Sequence, residues 1–439
     1  MEIAAKAHPT ILVKDNPRIV NGWAMYDWAN SVYSLVITSS IFPIFYENIT
    51  SEQVSLFGRV YRNTALYSYT LSISFLVVAL ISPLLSGIAD FTDSKKTFMK
   101  FFCYLGAISC VGLYFFSADH LVLGLIMVAL AGIGFSGSQV FYNAFLPEIA
   151  SKPEQDRVSA KGFSLGYIGS ILLLIVNLAM IMYPEMFGLE NNSTPARISF
   201  VMVGIWWIGF AQFSFNRLPP AGKIIGVRKD VIYSGYRELA KVWAQLRSTI
   251  RLRRYLMAFF VFNMGVQTVM YLAISFAKKE IVDMPDSGLI ISILIIQLIA
   301  VIGAYAFSWL SARWGNIRAL TLAVVIWIGV CYMAYLIHSP GEFYALAAIV
   351  GGVMGGIQAL SRSTYSKLLP ETVDHASYFS FYDVCDKLGI VFGTLSFGLI
   401  YEFTGDLRMS ALAIGVYFVG GLFLLWRMPK TEHLAAVSE

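Results

Sequence analysis

The chain has 439 residues, of which 57% are apolar, 15% aromatic and only 13% charged, and its mean hydropathy is +0.66. Charge at about half the level of an average soluble domain excludes a water-soluble globular protein and makes the chain an integral membrane protein. The net charge of +5 would point to a polyanion in a soluble protein, but here the basic residues sit in short loops, so they report orientation and no nucleic-acid partner follows.

In chain order, residues 1–20 carry Lys6, Pro9, Lys14, Asp15, Pro17 and Arg18 without an apolar run long enough for a signal peptide, so no cleaved leader is expected. Runs of roughly 20 apolar residues, enough to cross a bilayer, follow at 20–46, 63–89, 98–116, 121–146, 159–183 and 196–217. Six more fall at 253–277, 286–311, 317–337, 341–369, 377–401 and 408–427. The pattern predicts an all-α membrane protein with twelve spans, organised as a six-helix bundle at 1–217, a linker at 218–252 and a second bundle at 253–439.

Lysine and arginine concentrate on the N-terminal side of alternate loops. That side collects Lys6, Lys14, Arg18, Lys95, Lys96, Lys100, Lys152, Arg157, Lys161, ten basic residues from Arg217 to Arg254, Arg313, Arg318, Arg427 and Lys430. The opposite side has Arg59, Arg62, Arg197, Lys278, Lys279 and Arg408. The positive-inside rule then predicts two cytoplasmic termini. In the linker, Ile232, Tyr236, Leu239, Trp243, Leu246 and Ile250 share one face of a helix, with Arg237, Lys241, Arg247 and Arg251 around it. Such a basic amphipathic helix either lies on the lipid surface or packs beneath the bundles as a connector.

The chain also repeats itself. A shift of 223 lays Ser138–Glu148 (SQVFYNAFLPE) on Ser361–Glu371 (SRSTYSKLLPE), with five of eleven positions identical, and Leu165-Gly166 on Leu388-Gly389. At 222, the loop 86–96 falls on 308–318. Six spans separate the copies, so the two halves run in the same orientation, the arrangement that places substrate and ion sites near the midplane and moves solutes by alternating access.

The loop with Asp90 and Lys95-Lys96 resembles the signature loop of the major facilitator superfamily, as does Arg313-Trp314-Gly315 with Arg318. Phe91 stands where an Arg is usual, Asp93 where a Gly is usual, and the opening glycine is shifted to Gly87. The stretch Gly22-Trp23-Ala24-Met25-Tyr26-Asp27-Trp28-Ala29-Asn30-Ser31, with Phe262-Asn263-Met264-Gly265-Val266-Gln267-Thr268, is similar to the vacuole-effluxer-like branch of that superfamily, across both halves. The resemblance implies the two-bundle pseudo-twofold fold and a bacterial inner-membrane location for a bacterial-type member. It also implies amino acids as the leading solute class, because eukaryotic members are linked to amino-acid efflux from the vacuole. An acid is usual at position 264 of that motif, where this chain has Met264.

Charges inside spans single out the candidate residues. Asp27 lies two turns inside the first span, roughly 10 Å deep at about 1.5 Å per residue, and a carboxylate in hydrocarbon costs at least ~2.5 kcal/mol. It reads as an ion-coupling or solute contact, or as a structural ion pair. Arg362, whose repeat mate is Gln139, requires an acid, carbonyls or a substrate anion; its partner is expected to be Asp27, Asp383 or the solute. The cluster Asp383, Asp386 and Lys387 opens the eleventh span, with Asp383 and Lys387 four apart and able to pair. It is a gate or proton relay, a self-neutralised helix entry, or a latch to Asp90 and Lys95. Asn30, Tyr33 and Ser34, with Asn263, Gln267, Gln297 and Gln358, are expected near the midplane, where amides line a solute cavity or bridge helices. The glycine runs 132–137 and 351–356 lie inside apolar spans and permit close helix packing rather than phosphate binding.

Cys103, Cys110, Cys331 and Cys385 show no metal or redox spacing, and His8, His120, His338, His375 and His433 fall in loops or tails, so no cofactor, metal site or enzyme chemistry is expected. The expected protein is a monomeric secondary transporter of a small organic solute, with protons as the leading coupling ion. A non-transporting sensor on a transporter fold is the alternative.

Overall fold

The computed structural model describes residues 13–56, 58–190, 193–220 and 229–429. Lys6, Lys223, Arg228, Lys430, His8 and His433 lie outside the described residues. Twelve helices among the described residues are long and apolar enough to cross a membrane, and each lies within a few residues of the run predicted for it. An even number of spans puts both ends of the described chain on one side, called the terminal side below.

The first span opens with Asn16 as cap, its side chain accepting from the Arg18 amide at 3.0 Å, and with Pro17 at the first helical position. Helix α1 (Pro17–Val32) widens into a π-helical segment, Tyr33–Ser40, before α2 (Ile41–Ile49). Pro43 cannot donate to the Ser39 carbonyl, which frees the turn ahead of it, and Ser39 Oγ bonds the Ser34 carbonyl at 3.0 Å. On the far side, β1 (Gln53–Leu56) and β2 (Arg59–Arg62) pair as an antiparallel hairpin with Leu56 opposite Arg59. Val54, Leu56 and Tyr61 pack on the core, while Gly58 takes the left-handed conformation at φ +77°.

The remaining spans of the first half are α3 (Asn63–Thr92), α4 (Lys95–Gly112), α5 (Leu121–Ala144) followed by the short α6 (Leu146–Ile149), α7 (Gln155–Met182) and α8 (Thr194–Phe215). The second half holds α10 (Ile250–Glu280), α11 (Asp286–Trp314), α12 (Asn316–Leu336), α13 (Pro340–Leu368), α14 (His375–Thr404) and α15 (Leu407–Trp426). Asp93 ends α3 at φ 51°, a left-handed position that glycine takes freely and aspartate tolerates. That tolerance explains how an aspartate stands where the signature loop usually has glycine. Large apolar side chains such as Leu80, Phe101, Ile205, Ile302 and Val416 are exposed on the helix exteriors, where lipid would cover them.

Glycines set the closest helix contacts. Gly351 meets the Ile296 backbone, Gly352 meets Gly303, and Gly355 meets the Ala300 carbonyl, bringing α11 and α13 backbone to backbone; Gly134 does the same for α4 and α5 at Gly106. This is the close packing expected of both runs. A Gly355→Val variant has no space for its branched side chain and is expected to lose about 1–3 kcal/mol of stability, read as a lower unfolding midpoint in detergent. An unchanged midpoint would contradict the packing described.

Between the halves, α7 packs on α11 and α13, and α14 packs on α3 and α5. The connector α9 (Lys229–Ser248) lies along α3. The linker helix packs on the first half: Gly235 touches Gly87 and Ile88, and Val242 and Leu246 are buried. Tyr236 and Trp243, expected on the apolar face, are exposed instead, because the glycine contact turns the Gly235/Val242/Leu246 row inward.

Candidate functional site

Polar side chains join the two halves in three groups, here called layers: the innermost lies inside the helices, and the other two lie at the terminal-side helix ends. The innermost is built on α1, α5, α7 and α13. Asp27 lies ten residues into α1, roughly 15 Å along its axis, and Arg362 lies six residues before the end of α13, roughly 9 Å. Arg362 Nη1 pairs with Asp27 Oδ2 at 3.1 Å, and both side chains are more than nine-tenths buried. Tyr142 donates its hydroxyl to the same carboxylate oxygen at 2.7 Å. Arg362 also donates to Ser159 Oγ (2.9 Å), the Ser159 carbonyl (2.9 Å) and Asn143 Oδ1 (3.3 Å). Its guanidinium stands over the rings of Phe163 at 4.1 Å and Trp23 at 4.7 Å, with Trp23 stacked on Tyr142. Of the partners expected for Arg362, the structure selects Asp27 rather than Asp383. A fork with four hydrogen bonds and two ring faces is the geometry that makes a buried ion pair tolerable. Gly162 makes the room: a Cβ there would stand 2.5 Å from Asp27 Oδ2 and 3.0 Å from Arg362 Nη2.

The second layer was not anticipated. Asp156, at the start of α7, accepts from Ser311 Oγ of α11, Asn316 Nδ2 of α12 at 2.8 Å and Lys367 Nζ of α13 at 2.6 Å, so one carboxylate of the first half holds three helices of the second. Lys367 lies inside the predicted 341–369 run, so an unpaired lysine in an apolar span was the available signal. Asp156 gave none, since it resembles any loop charge before a span.

In the third layer, at the terminal side, Asp90 accepts the backbone N–H groups of Ala376 (3.1 Å) and Ser377 (2.7 Å), the first turn of α14. The carboxylate thus meets unsatisfied helix-terminal amides and the positive end of the helix dipole. Lys95 pairs with Glu148, and His375 Nδ1 contacts the same Glu148 oxygen at 2.9 Å. His375, expected in a loop, is the first residue of α14. Lys241 of α9 reaches Asp374 at 3.3 Å, and Gln245 accepts from Tyr378 at 2.9 Å. Slight burial pulls the Lys241 pKa down, but the Asp374 and Glu238 carboxylates outweigh it and raise the pKa above the ordinary lysine value.

The expected latch between Asp90, Lys95 and the Asp383 cluster does not form. Helix α14 starts at His375, eight residues before Asp383, so the cluster lies roughly 12 Å inside the helix rather than at its entry. There Lys387 pairs with Asp383 Oδ1 at 3.4 Å and with Asp386 Oδ2 at 2.8 Å. Asp386 Oδ1 accepts from Asn263 at 2.9 Å and Gln267 at 2.8 Å, so the α10 motif that carries Met264 instead of an acid holds a carboxylate borrowed from α14. The Lys387 ammonium lies 5.9 Å from the Phe75 ring centre on α3, which puts the cluster on the surface where the halves meet.

The uncharged candidates divide. Gln358 accepts from Tyr167 of the opposite half and donates to Met270 Sδ at 3.3 Å. Gln139 and Ser34 are half-buried, and Gln297 keeps a buried amide oxygen without a partner among the described residues. Asn30 and Tyr33 share a face of the first span with Tyr26 and turn into the first half's own interior. There the Tyr33 ring lies 4.9 Å from Phe135 and 5.8 Å from Trp207, and the buried Asn30 amide has no hydrogen-bond partner among the described residues.

Comparison with known proteins covers nearly the whole chain. The family described as "Vacuole effluxer Atg22 like" matches residues 15–435. The chain is similar to the uncharacterized MFS-type transporter YxiO of Bacillus subtilis (strain 168), 31% identical over 93% of this chain and 94% of that protein. It is also similar to autophagy-related protein 22 of Gibberella zeae, 24% identical over 92% of this chain and 78% of the relative. Among solved structures it superposes on the major facilitator superfamily transporter FucP in the outward conformation, with a TM-score of 0.69, 13% identity, and coverage of 94% of this chain and 99% of that one.

Proposed function

The chain belongs to the vacuole effluxer Atg22-like family and has the fold of an MFS-type membrane transporter, and from that premise we propose that it moves amino acids across a bacterial inner membrane by proton-coupled alternating access. Its relatives are transporters rather than enzymes. The observation that carries the mechanism is the polar seal: buried ion pairs from both halves meet on one side, as a closed gate requires. In this reading the halves are 1–217 and 253–439 with 218–252 as linker. The terminal side is cytoplasmic by the positive-inside rule, and the path lies between the halves of a single monomer.

Asp27, Arg362 and Asp90 act as gate residues, opening when the halves rock apart on the sealed side. Asn263, Gln267 and Gln358, together with Gln139, present amide donors and acceptors to a small zwitterion from the surface where the halves meet. Asp383, Asp386 and Lys387 supply the charge that a coupling ion reads. The test is flux of a pooled set of labelled amino acids into proteoliposomes holding the purified protein, with and without an imposed proton gradient. The expected result is accumulation above the equilibrium level only with the gradient. No movement of any member in either condition would remove the amino-acid assignment.

A further inference from the structure

We infer that Asp383 is the residue that takes up the coupling proton, and that Lys387 changes partner when it does. This rests on the proton-coupled reading above and assigns its ion to one side chain among three candidates.

The argument is one of occupancy. Asp27 has Arg362 and Tyr142 on one oxygen and lies in a pair whose charges cancel. Asp386 has both oxygens engaged, by Asn263 and Gln267 on one and by Lys387 on the other. Asp383 differs: among the described residues its Oδ1 has only the 3.4 Å contact with Lys387, and its Oδ2 is buried with no hydrogen-bond partner. A buried polar atom without a partner is costly, and an unpartnered carboxylate oxygen is a place for a proton or another cation.

The charge balance points the same way. Asp383, Asp386 and Lys387 carry two negative charges and one positive, so the buried cluster is one positive charge short. On their own helix the other titratable neighbours are Cys385 and Tyr382. From α10, Tyr271 interacts with Lys387 and Asp386, while Asn263 and Gln267 are neutral donors. Helix α3 brings Phe75 alongside and Asp90 only at the helix start, where α9 also places Lys241. Among the described residues Lys387 is the cation that pairs with Asp383, while Arg362 of α13 acts on the neighbouring Tyr382. A proton on Asp383 Oδ2 forms one O–H bond, breaks none, and leaves Lys387 and Asp386 as a balanced pair. Loss of that proton returns Lys387 to a position shared between two carboxylates. A single proton thus decides whether the ammonium facing Phe75 is committed to Asp386 or divided, which links protonation to the surface between the halves.

The experiment is an infrared titration of the purified full-length protein, following the C=O stretch of protonated carboxyl groups from mildly acid to mildly alkaline solution. The expected result is a titrating band that is lost in Asp383→Asn, displaced in Asp383→Glu, and retained in Asp27→Asn and Asp386→Asn. Its midpoint is expected to be the same in sodium and in potassium salts. Persistence of the band in both Asp383 variants overturns the assignment, as does its loss in Asp27→Asn alone. Suppression of the band by sodium overturns it in favour of a sodium ion, and suppression by a primary amine in favour of a solute ammonium group. The Asp383→Glu variant keeps the test decisive if Asp383→Asn does not fold. No transported solute is needed, so failure here is distinguishable from failure of the flux experiment.

Discussion

Replacing Arg362 with Gln is expected to open the sealed side. The substitution leaves the Asp27 carboxylate buried against Tyr142 with no compensating charge, while Ser159 and Asn143 lose the donors that crossed from α13. Removing one partner of a buried ion pair costs about 3–5 kcal/mol, roughly two to three and a half powers of ten in an equilibrium. The cost falls on the sealed arrangement alone, since separation of the halves would return Asp27 to water. Distances between spin labels on the terminal-side ends of the two halves should therefore shift to a longer population. The Asp27→Asn, Arg362→Gln double variant should recover much of the short distance, because two neutral amides carry no uncompensated charge. If the single variant keeps the wild-type distance distribution, the pair is not what holds the seal.

The second large effect is expected of Asp156→Ala. Every hydrogen bond this carboxylate accepts in the second layer comes from the opposite half: from Ser311, Asn316 and Lys367. The variant removes all three acceptor contacts at once and leaves the Lys367 ammonium, mostly buried, with Asn316 as its remaining partner. Hydrogen bonds to charged groups contribute about 1.5–3 kcal/mol each; non-additivity within one network puts the total nearer 3–5 kcal/mol. The readout is the rate at which a single cysteine placed in the seal reacts with a water-soluble thiol reagent from the terminal side, expected to rise at least a hundredfold. An unchanged rate would mean that the Asp156 contacts are not needed to close the path. Adding Lys367→Met to Asp156→Ala should reduce the effect, because the stranded cation is then gone.

The sequence was legible where the membrane dictates the pattern. Twelve apolar runs, the charge asymmetry of the loops and the 223-residue repeat follow from the bilayer's demand for internally satisfied helices and from the symmetry of the halves. Arg362 and Asp27 were visible because a charge in hydrocarbon stands out and each needed the other. Which face of a span turns inward was not legible. Asn30 and Tyr33 lie in a helix apolar on all sides, and no amphipathic signal separates the face toward the second half from the face toward the first half's own core. The second layer was missed for a different reason. Asp156 and Glu148 lie at span ends where solvated charges are ordinary, and only the docking of the other half makes them inter-half contacts. The cluster on α14 was identified but read as the opening of its helix, although the run predicted for that span already opens at 377 and the helix itself at His375.

The widened segment Tyr33–Ser40 bears on how this chain tolerates change in length. A turn with i→i+5 bonds carries one residue more than an α turn, so the first span holds slack between Asp27 and the hairpin-bearing far end. A one-residue deletion there can be absorbed by reverting to α geometry, leaving Asp27 and Phe42 facing the neighbours they have now. The same deletion in α13, where helical turns run unbroken from Pro340 to Leu368, rotates everything beyond it by about 100° and carries Arg362 away from Asp27 or the glycines away from Ala300. Insertions and deletions among relatives should therefore gather in residues 33–40 and be absent from the spans on either side of the seal.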